Sequence, residues 1–274
     1  MVIRHPGPSL LGYEKIVDRK GGTRFALMEF ALLRIAPGES WSSGKADEKA
    51  MLLISGSAVL SWQDGGAAES ASAARRSLFD ESPSVLHLAS GWEARVTAGP
   101  LGAELAVTRT ENRSVFPPRF YRAQDCRSEE RGKGTLGETS TRIVRTVFDA
   151  STAPLSHLVL GEVVNSPGRW SSYPPHHHPQ PEIYHYRFQP EGGFGLAVKG
   201  SQAHVVRHRD TVLIREGEVH PQAAAPGYAM WYLWVIRHLD GNRYVQPTFA
   251  PEHLWVNDPS APIWAPPSGR GDTK

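Results

Sequence analysis

A short echo constrains this chain more than any other feature. Pro37-Gly38-Glu39-Ser40-Trp41-Ser42-Ser43 in the first half returns as Pro167-Gly168-Arg169-Trp170-Ser171-Ser172 in the second. Each copy closes an apolar run, residues 25–36 in the first case and 158–164 in the second. Pro-Gly is a turn signal, and the runs have strand character. The same motif at equivalent places in two strand patterns argues for two related units in tandem. Around the first copy, residues 51–54 meet Ser55-Gly56 and residues 57–62 follow, which reads as strand, tight turn, strand. Runs at 85–88, 94–97 and 104–107 continue the pattern, and 183–188, 204–206, 210–214 and 230–236 repeat it. With 26 Gly and 22 Pro punctuating them, strands this short predict an all-β chain of two antiparallel β-barrels. The expected division is 1–110, a connector at 111–150 rich in Arg, Glu, Gly and Ser, a second barrel at 151–260, and a tail at 261–274.

Several classes fall away. The longest apolar run, residues 228–236, is far shorter than the roughly 20 residues of a membrane-spanning helix. The first eight residues carry no apolar segment of the secretory kind, so a cytoplasmic protein is expected. Cys126 is the single cysteine and has no partner for an internal disulfide. A net charge of +2, with basic residues scattered, is no nucleic-acid footprint. Arg75-Arg76 and Arg131-Gly132-Lys133 read as solvated loops. No nucleic-acid and no membrane partner is expected, whereas sheet edges and eight tryptophans fit a homo-oligomer.

The histidines are unevenly placed: of twelve, only His5 and His87 precede residue 150. The densest stretch is Pro174-Pro175-His176-His177-His178-Pro179-Gln180-Pro181-Glu182. In an extended segment residues i and i+2 share a face, so His176 and His178 can aim at one ion while His177 points away. Glu182 begins the next strand, and His220 follows a turn at Gly217 after an apolar strand. Three imidazoles and a carboxylate form a ligand set for zinc, manganese, iron or nickel. His185, His204, His208, His238 and His253 read as packing or surface residues.

His-x-His-x3-Glu followed by Gly-x-x-His resembles the two motifs of the cupin superfamily. The longer strings Gly168 to His178, Glu182-Ile183-Tyr184-His185-Tyr186-Arg187-Phe188, Gly193-Phe194-Gly195-Leu196, and His220-Pro221 with Ala225-Pro226-Gly227-Tyr228 are more specific. They resemble the 5-deoxy-glucuronate isomerase family of inositol catabolism, a relative of the 5-keto-4-deoxyuronate isomerases. The resemblance implies a bicupin of two jelly-roll domains, with a divalent metal, zinc first, in the second. The first, with no histidine between Pro37 and Leu60, would be structural support. It also implies an aldose–ketose isomerase that turns 5-deoxy-glucuronate, a small sugar acid, into 5-dehydro-2-deoxygluconate. The metal would act as a Lewis acid and stabilise the enediolate formed when the C2 proton leaves.

Strand alternation from Glu182 sends Tyr184 and Tyr186 inward as acid/base or supporting candidates, and Ile183, His185 and Arg187 outward. The substrate carboxylate needs a guanidinium. Arg142 ranks first, ahead of Arg169 and Arg187. Ala197, Val198, Val219 and Trp234 depart from the family pattern around the pocket, so an altered substrate or a non-catalytic sugar-acid-binding bicupin are alternatives. An iron-dependent dioxygenase is the further alternative for the same ligand set.

Overall fold

The computed structural model describes residues 1–5, 7 and 10–265, and its regular structure is antiparallel strand with a few 3-10 turns. In the first half, β1 (Gly12–Val17), β2 (Met28–Ile35), β3 (Glu48–Gln63), β4 (Val85–Leu88) and β5 (Glu93–Thr110) lie side by side in the order β1-β2-β5-β3-β4. In the second half, β6 (Arg142–Phe148), β7 (Leu158–Asn165), β8 (Glu182–Gln189), β9 (Thr211–Ile214) and β10 (Ala229–Arg237) lie in the order β6-β7-β10-β8-β9. The two orders match strand for strand, so the sequence echo marks a repeated topology. Residues 111–150 contribute to both sheets: Arg119–Tyr121 pairs with β4, while Arg127–Arg131 pairs with β6. Val2–Ile3 pairs with β9 of the second sheet. A separate four-stranded sheet of Trp170–Ser171, Gln222–Ala224, Phe194–Lys199 and Gln202–Arg207 completes the second half. Among the described residues no helix is long and apolar enough to cross a membrane.

One local expectation is corrected. Ser55-Gly56 is no tight turn, because β3 passes through it as one strand of 16 residues. Its register against β5 shifts between Leu53 and Ser55 and again between Gly56 and Ala58. Gly56 has φ 86°, and a Cβ there would stand 2.2 Å from the carbonyl oxygen of Gly102. The glycines therefore mark a bulge where two backbones close on each other, and the strand bends without ending. The same irregularity joins residues 94–97 and 104–107 into the single strand β5.

Alternation divides the apolar residues into three groups. Met51, Leu53, Leu86, Leu105 and Val107 fill the interior of the first half. Tyr184, Tyr186, Phe188, Val212 and Tyr232 fill that of the second. The opposite faces of both sheets meet in a third core, where Phe30, Leu52 and Ile54 pack with Leu160, Ile183, Leu213 and Leu233. Each large side chain buried there contributes roughly 1.5–3 kcal/mol, so the halves are held together by their sheet faces. A polar clip closes the same boundary. The Glu48 carboxylate accepts from Ser156 Oγ at 2.5 Å, Asn112 Nδ2 at 2.7 Å, His87 Nε2 at 2.8 Å and the His157 amide at 2.9 Å.

Candidate metal centre

Backbone pairing brings the predicted ligands to one end of the second sheet. His176 lies in a two-residue strand paired with Thr248–Phe249. Glu182 opens β8, between Ile214 of β9 and Ile236 of β10. The turn after β9 is stitched to the histidine segment, for the Gly217 amide donates to His178 O and the His220 amide to His176 O. His178, Glu182 and His220 are all buried and offer ligand atoms within 4.8 Å of one another. His176 does not join that closest group, but its ring stands 4.9 Å from that of His220, centroid to centroid.

The hydrogen bonds fix which nitrogen each ring presents. Nδ1 of His176 donates to Pro174 O at 3.0 Å, Nδ1 of His178 to Gln180 O at 2.9 Å, and Nδ1 of His220 to Glu218 O at 2.6 Å. An imidazole anchored in this way turns its Nε2 toward the centre, the atom with which it could ligate an ion. The Nε2 atoms of His178 and His220 each lie 3.2 Å from the same oxygen, Oε2 of Glu182. The His220 contact has the distance but not the geometry of a hydrogen bond, and its buried Nε2 has no hydrogen-bond partner. Burial would raise the Glu182 carboxyl, but hydrogen bonding and charge from the two facing histidines outweigh it in the ion-free protein and bring its pKa to about 2. Burial, with the nearby His220, lowers His176 to about 3, so it is neutral at pH 7. A divalent ion bound there would replace the protons of those hydrogen bonds and take the Nε2 lone pairs and the carboxylate as ligands. The donor set therefore fits a divalent ion.

A cavity of about 280 Å³ opens onto His176, His178 and Glu182. Tyr184 lines it, with its hydroxyl 3.3 Å from Ser172 Oγ, and burial raises its pKa well above the ordinary value. Tyr186 is not among the residues lining that cavity; its hydroxyl donates to Gln222 Oε1 at 2.6 Å, and Gln222 Nε2 donates to His220 O at 2.7 Å. It braces a ligand-bearing segment from behind. Arg142 lines the cavity and spends its guanidinium on two backbone carbonyls, Ser140 O at 2.8 Å and Tyr173 O at 2.9 Å. Among the described residues its hydrogen bonds go to these carbonyls and it forms no ion pair. Burial lowers its pKa and the charge of Arg131 adds to that. Arg169 does not line the cavity, and Arg187, on the opposite face of β8, pairs with Glu104 at 2.7 Å.

Sequence reasoning missed Arg131, Tyr232 and Tyr244, which also line the cavity. Tyr244 packs edge-on against His178, with centroids 4.9 Å apart. It comes from a loop after the last long strand, where no periodicity signals a direction. Trp234 lines the cavity too, and Gly161 makes room for it: a Cβ there would fall 2.3 Å from the indole.

The chain is similar to several known proteins. The KduI/IolB family model matches residues 12–256. A 5-deoxy-glucuronate isomerase of Halalkalibacterium halodurans is 26% identical over 198 residues, covering 66% of this chain and 70% of that protein. Among solved structures, an IolB-like protein of Salmonella typhimurium LT2 superposes with a TM-score of 0.79 at 25% identity, over 93% of this chain and 98% of the other. The oxalate decarboxylase of Lactobacillus farciminis, in its formate complex, gives a TM-score of 0.66 at 12% identity over 89% of this chain and 86% of its own. That likeness shows the cupin fold alone.

Proposed function

The chain belongs to the KduI/IolB family, and on that premise we propose that it is a 5-deoxy-glucuronate isomerase of myo-inositol catabolism, an aldose–ketose isomerase whose product is 5-dehydro-2-deoxygluconate. One observation carries the reading. His176, His178 and the ionised Glu182, with His220 beside them, share a cavity with a half-buried guanidinium that has no carboxylate partner among the described residues. A sugar acid offers both missing partners, a carbonyl with a neighbouring hydroxyl at one end and a carboxylate at the other.

His176, His178, Glu182 and His220 would hold the divalent cation, zinc first, with manganese, iron or nickel as alternatives. Bound there, the ion supplies a Lewis acid for the substrate carbonyl. Arg142, with Arg131 beside it, takes the substrate carboxylate and so fixes which end of the sugar faces the histidines. Tyr184 stays protonated at pH 7 and holds its proton where an oxygen of the reacting pair needs a donor. Tyr232 and Tyr244 close the cavity wall and keep water from the carbons between which the proton moves. Trp234 narrows that wall and selects a compact substrate. Each large sheet with its covering strands is read as one cupin jelly roll: 1–110 as support, 111–150 as a connector that lends Arg119–Tyr121 to the first sheet and Arg127–Arg131 and β6 to the second, 151–260 as the metal-binding unit, and 261–274, of which 266–274 lie outside the described residues, as tail. The exposed Leu254 and Trp255 fit self-association, and the setting is read as cytoplasmic.

The test is to incubate metal-loaded protein with 5-deoxy-glucuronate and follow ketose formation. Turnover with a rise in KM for Arg142→Gln is expected. Absence of ketose from fully metallated protein would overturn the reading.

A further inference from the structure

The strand that supplies Glu182 and Tyr184 to one cavity sends Arg187 to another. Between the two halves lies a cleft of about 1230 Å³, far larger than the metal cavity, onto which Arg34, Arg75, Arg76, Arg187 and Arg209 all open. The carboxylates lining it are Glu104 and Glu191. This is enough room for a whole small-molecule ligand.

Arg75 is only partly neutralised by its neighbours. Arg75 and Arg145 share one oxygen of the buried Glu162, at 2.6 and 2.8 Å, so a single carboxylate serves two guanidiniums. Arg209 pairs with Glu14 at 3.2 Å, and Arg187 with Glu104 at 2.7 Å. Arg75 is 2% exposed and Arg209 is 7% exposed, and the Nε of each is buried without a hydrogen-bond partner among the described residues. Arg76 is exposed, forms no ion pair among the described residues, and is tied to Glu81 only through its backbone amide.

We propose that the cleft between the two sheets is a second binding site, for a multivalent oxyanion of small-molecule size. The excess of arginines over carboxylates in its lining, with Arg76 exposed and in no ion pair among the described residues, is the recognition element, because a guanidinium can grip an oxyanion through paired N–H donors. Phosphate esters and polycarboxylates share that chemistry. The site is separate from the metal cavity, but β8 forms a wall of both, so its occupant would tie the two halves together beside the ligand-bearing strand.

The experiment is calorimetric titration of the full chain with inorganic phosphate and, separately, with succinate, each against potassium chloride at matched ionic strength. Binding of at least one probe is expected, weaker at higher salt, and the stronger probe identifies the oxyanion class. Arg76→Glu, at an exposed position, is expected to weaken binding at least tenfold while leaving the melting temperature of the ligand-free protein unchanged. Arg142→Gln, in the metal cavity, is expected to leave binding intact. The proposal is overturned if neither probe binds beyond the chloride control, if Arg76→Glu binds as well as the parent, or if Arg142→Gln removes the binding. None of these outcomes depends on isomerase turnover.

Discussion

The inner ends of β3 and β8 occupy the same place in two matching sheets and carry opposite charges. In β3 the first residue paired with β4 is Lys49, opposite Leu88; in β8 the first paired with β9 is Glu182, opposite Ile214. Both are buried. The Lys49 ammonium donates to Trp92 O at 2.6 Å and Gly44 O at 3.0 Å, with no carboxylate at ion-pair distance among the described residues. Burial, reinforced by Arg109, lowers its pKa to about 8. The first half thus closes this position with a cation of its own chain. The second places an anion there and sets imidazole nitrogens around it, a donor set that could take a cation from outside. The next inward residues follow suit: Met51 and Leu53 pack the first interior, whereas Tyr184 and Tyr186 carry hydroxyls into the second. A repeated fold has been given one self-sufficient end and one that needs a ligand.

Glu182→Gln should break the comparison most completely, since it keeps the shape of the side chain and removes the charge. Metal affinity is expected to fall by more than the ~10–100-fold typical of losing a partner outside the ligand set, and turnover should fall with it. Elemental analysis beside the ketose assay checks both, and a variant that keeps full metal would remove Glu182 from the site. Lys49→Met is the matching change in the first half. It takes the donor from Trp92 O and should cost about 1–3 kcal/mol of stability, read as a lower denaturation midpoint, with metal content unchanged. Loss of metal from Lys49→Met would mean that the two ends are not independent.

The two ends should also titrate in separate windows. In metal-free protein, unfolded chains protonate His176 near pH 6.5 while the fold resists until about 3. Unfolded chains therefore bind more protons in that range, and stability falls as pH drops through it. Glu182 adds to the fall between its ordinary 4.5 and about 2. Lys49 acts at the other extreme. Between about 8 and 10.5 the fold has released a proton that the unfolded chain keeps, so stability rises with pH there. The slope for one proton is at most about 1.4 kcal/mol per pH unit. Urea midpoints across pH should show both limbs, and Lys49→Met should erase the alkaline one alone. An alkaline limb that survives in that variant would assign it to another group.

Much of this difference was readable in the chain, and the unreadable part has physical reasons. His176, His178 and Glu182 were legible because strand period and spacing set their directions without knowledge of the fold. Arg142 was found by resemblance and Arg187 set aside by alternation, yet nothing local signalled that Arg187 enters a second cleft, because the other wall of that cleft comes from the first half. Lys49 was silent: an isolated lysine in an apolar run has the same local pattern whether it snorkels to water or replaces a metal. Ser55-Gly56 misled because a bulge and a turn use the same residues, and only the partner strand decides between them. Tyr244 and Arg131 come from loops or edges whose side-chain directions are set by tertiary contacts.

The smallest expected effect sharpens the comparison at the next inward turn of the strand. Tyr186→Phe makes the second interior more like the first, where Leu53 is one of the corresponding inward residues. The variant loses the bond to Gln222 Oε1, and with it the brace that runs through Gln222 Nε2 to the His220 carbonyl. A hydrogen bond of this kind is worth about 1 kcal/mol net, so metal affinity should weaken several-fold while KM for the sugar acid holds, because Tyr186 does not line the cavity. Tyr184→Phe, made in parallel, removes a hydroxyl from the cavity itself and should lower kcat with metal retained. Metal titration and steady-state kinetics on the pair separate the two roles. If Tyr186→Phe instead lost turnover with its metal fully bound, its hydroxyl would have to reach the substrate, and the assignment of Tyr186 to bracing would be wrong.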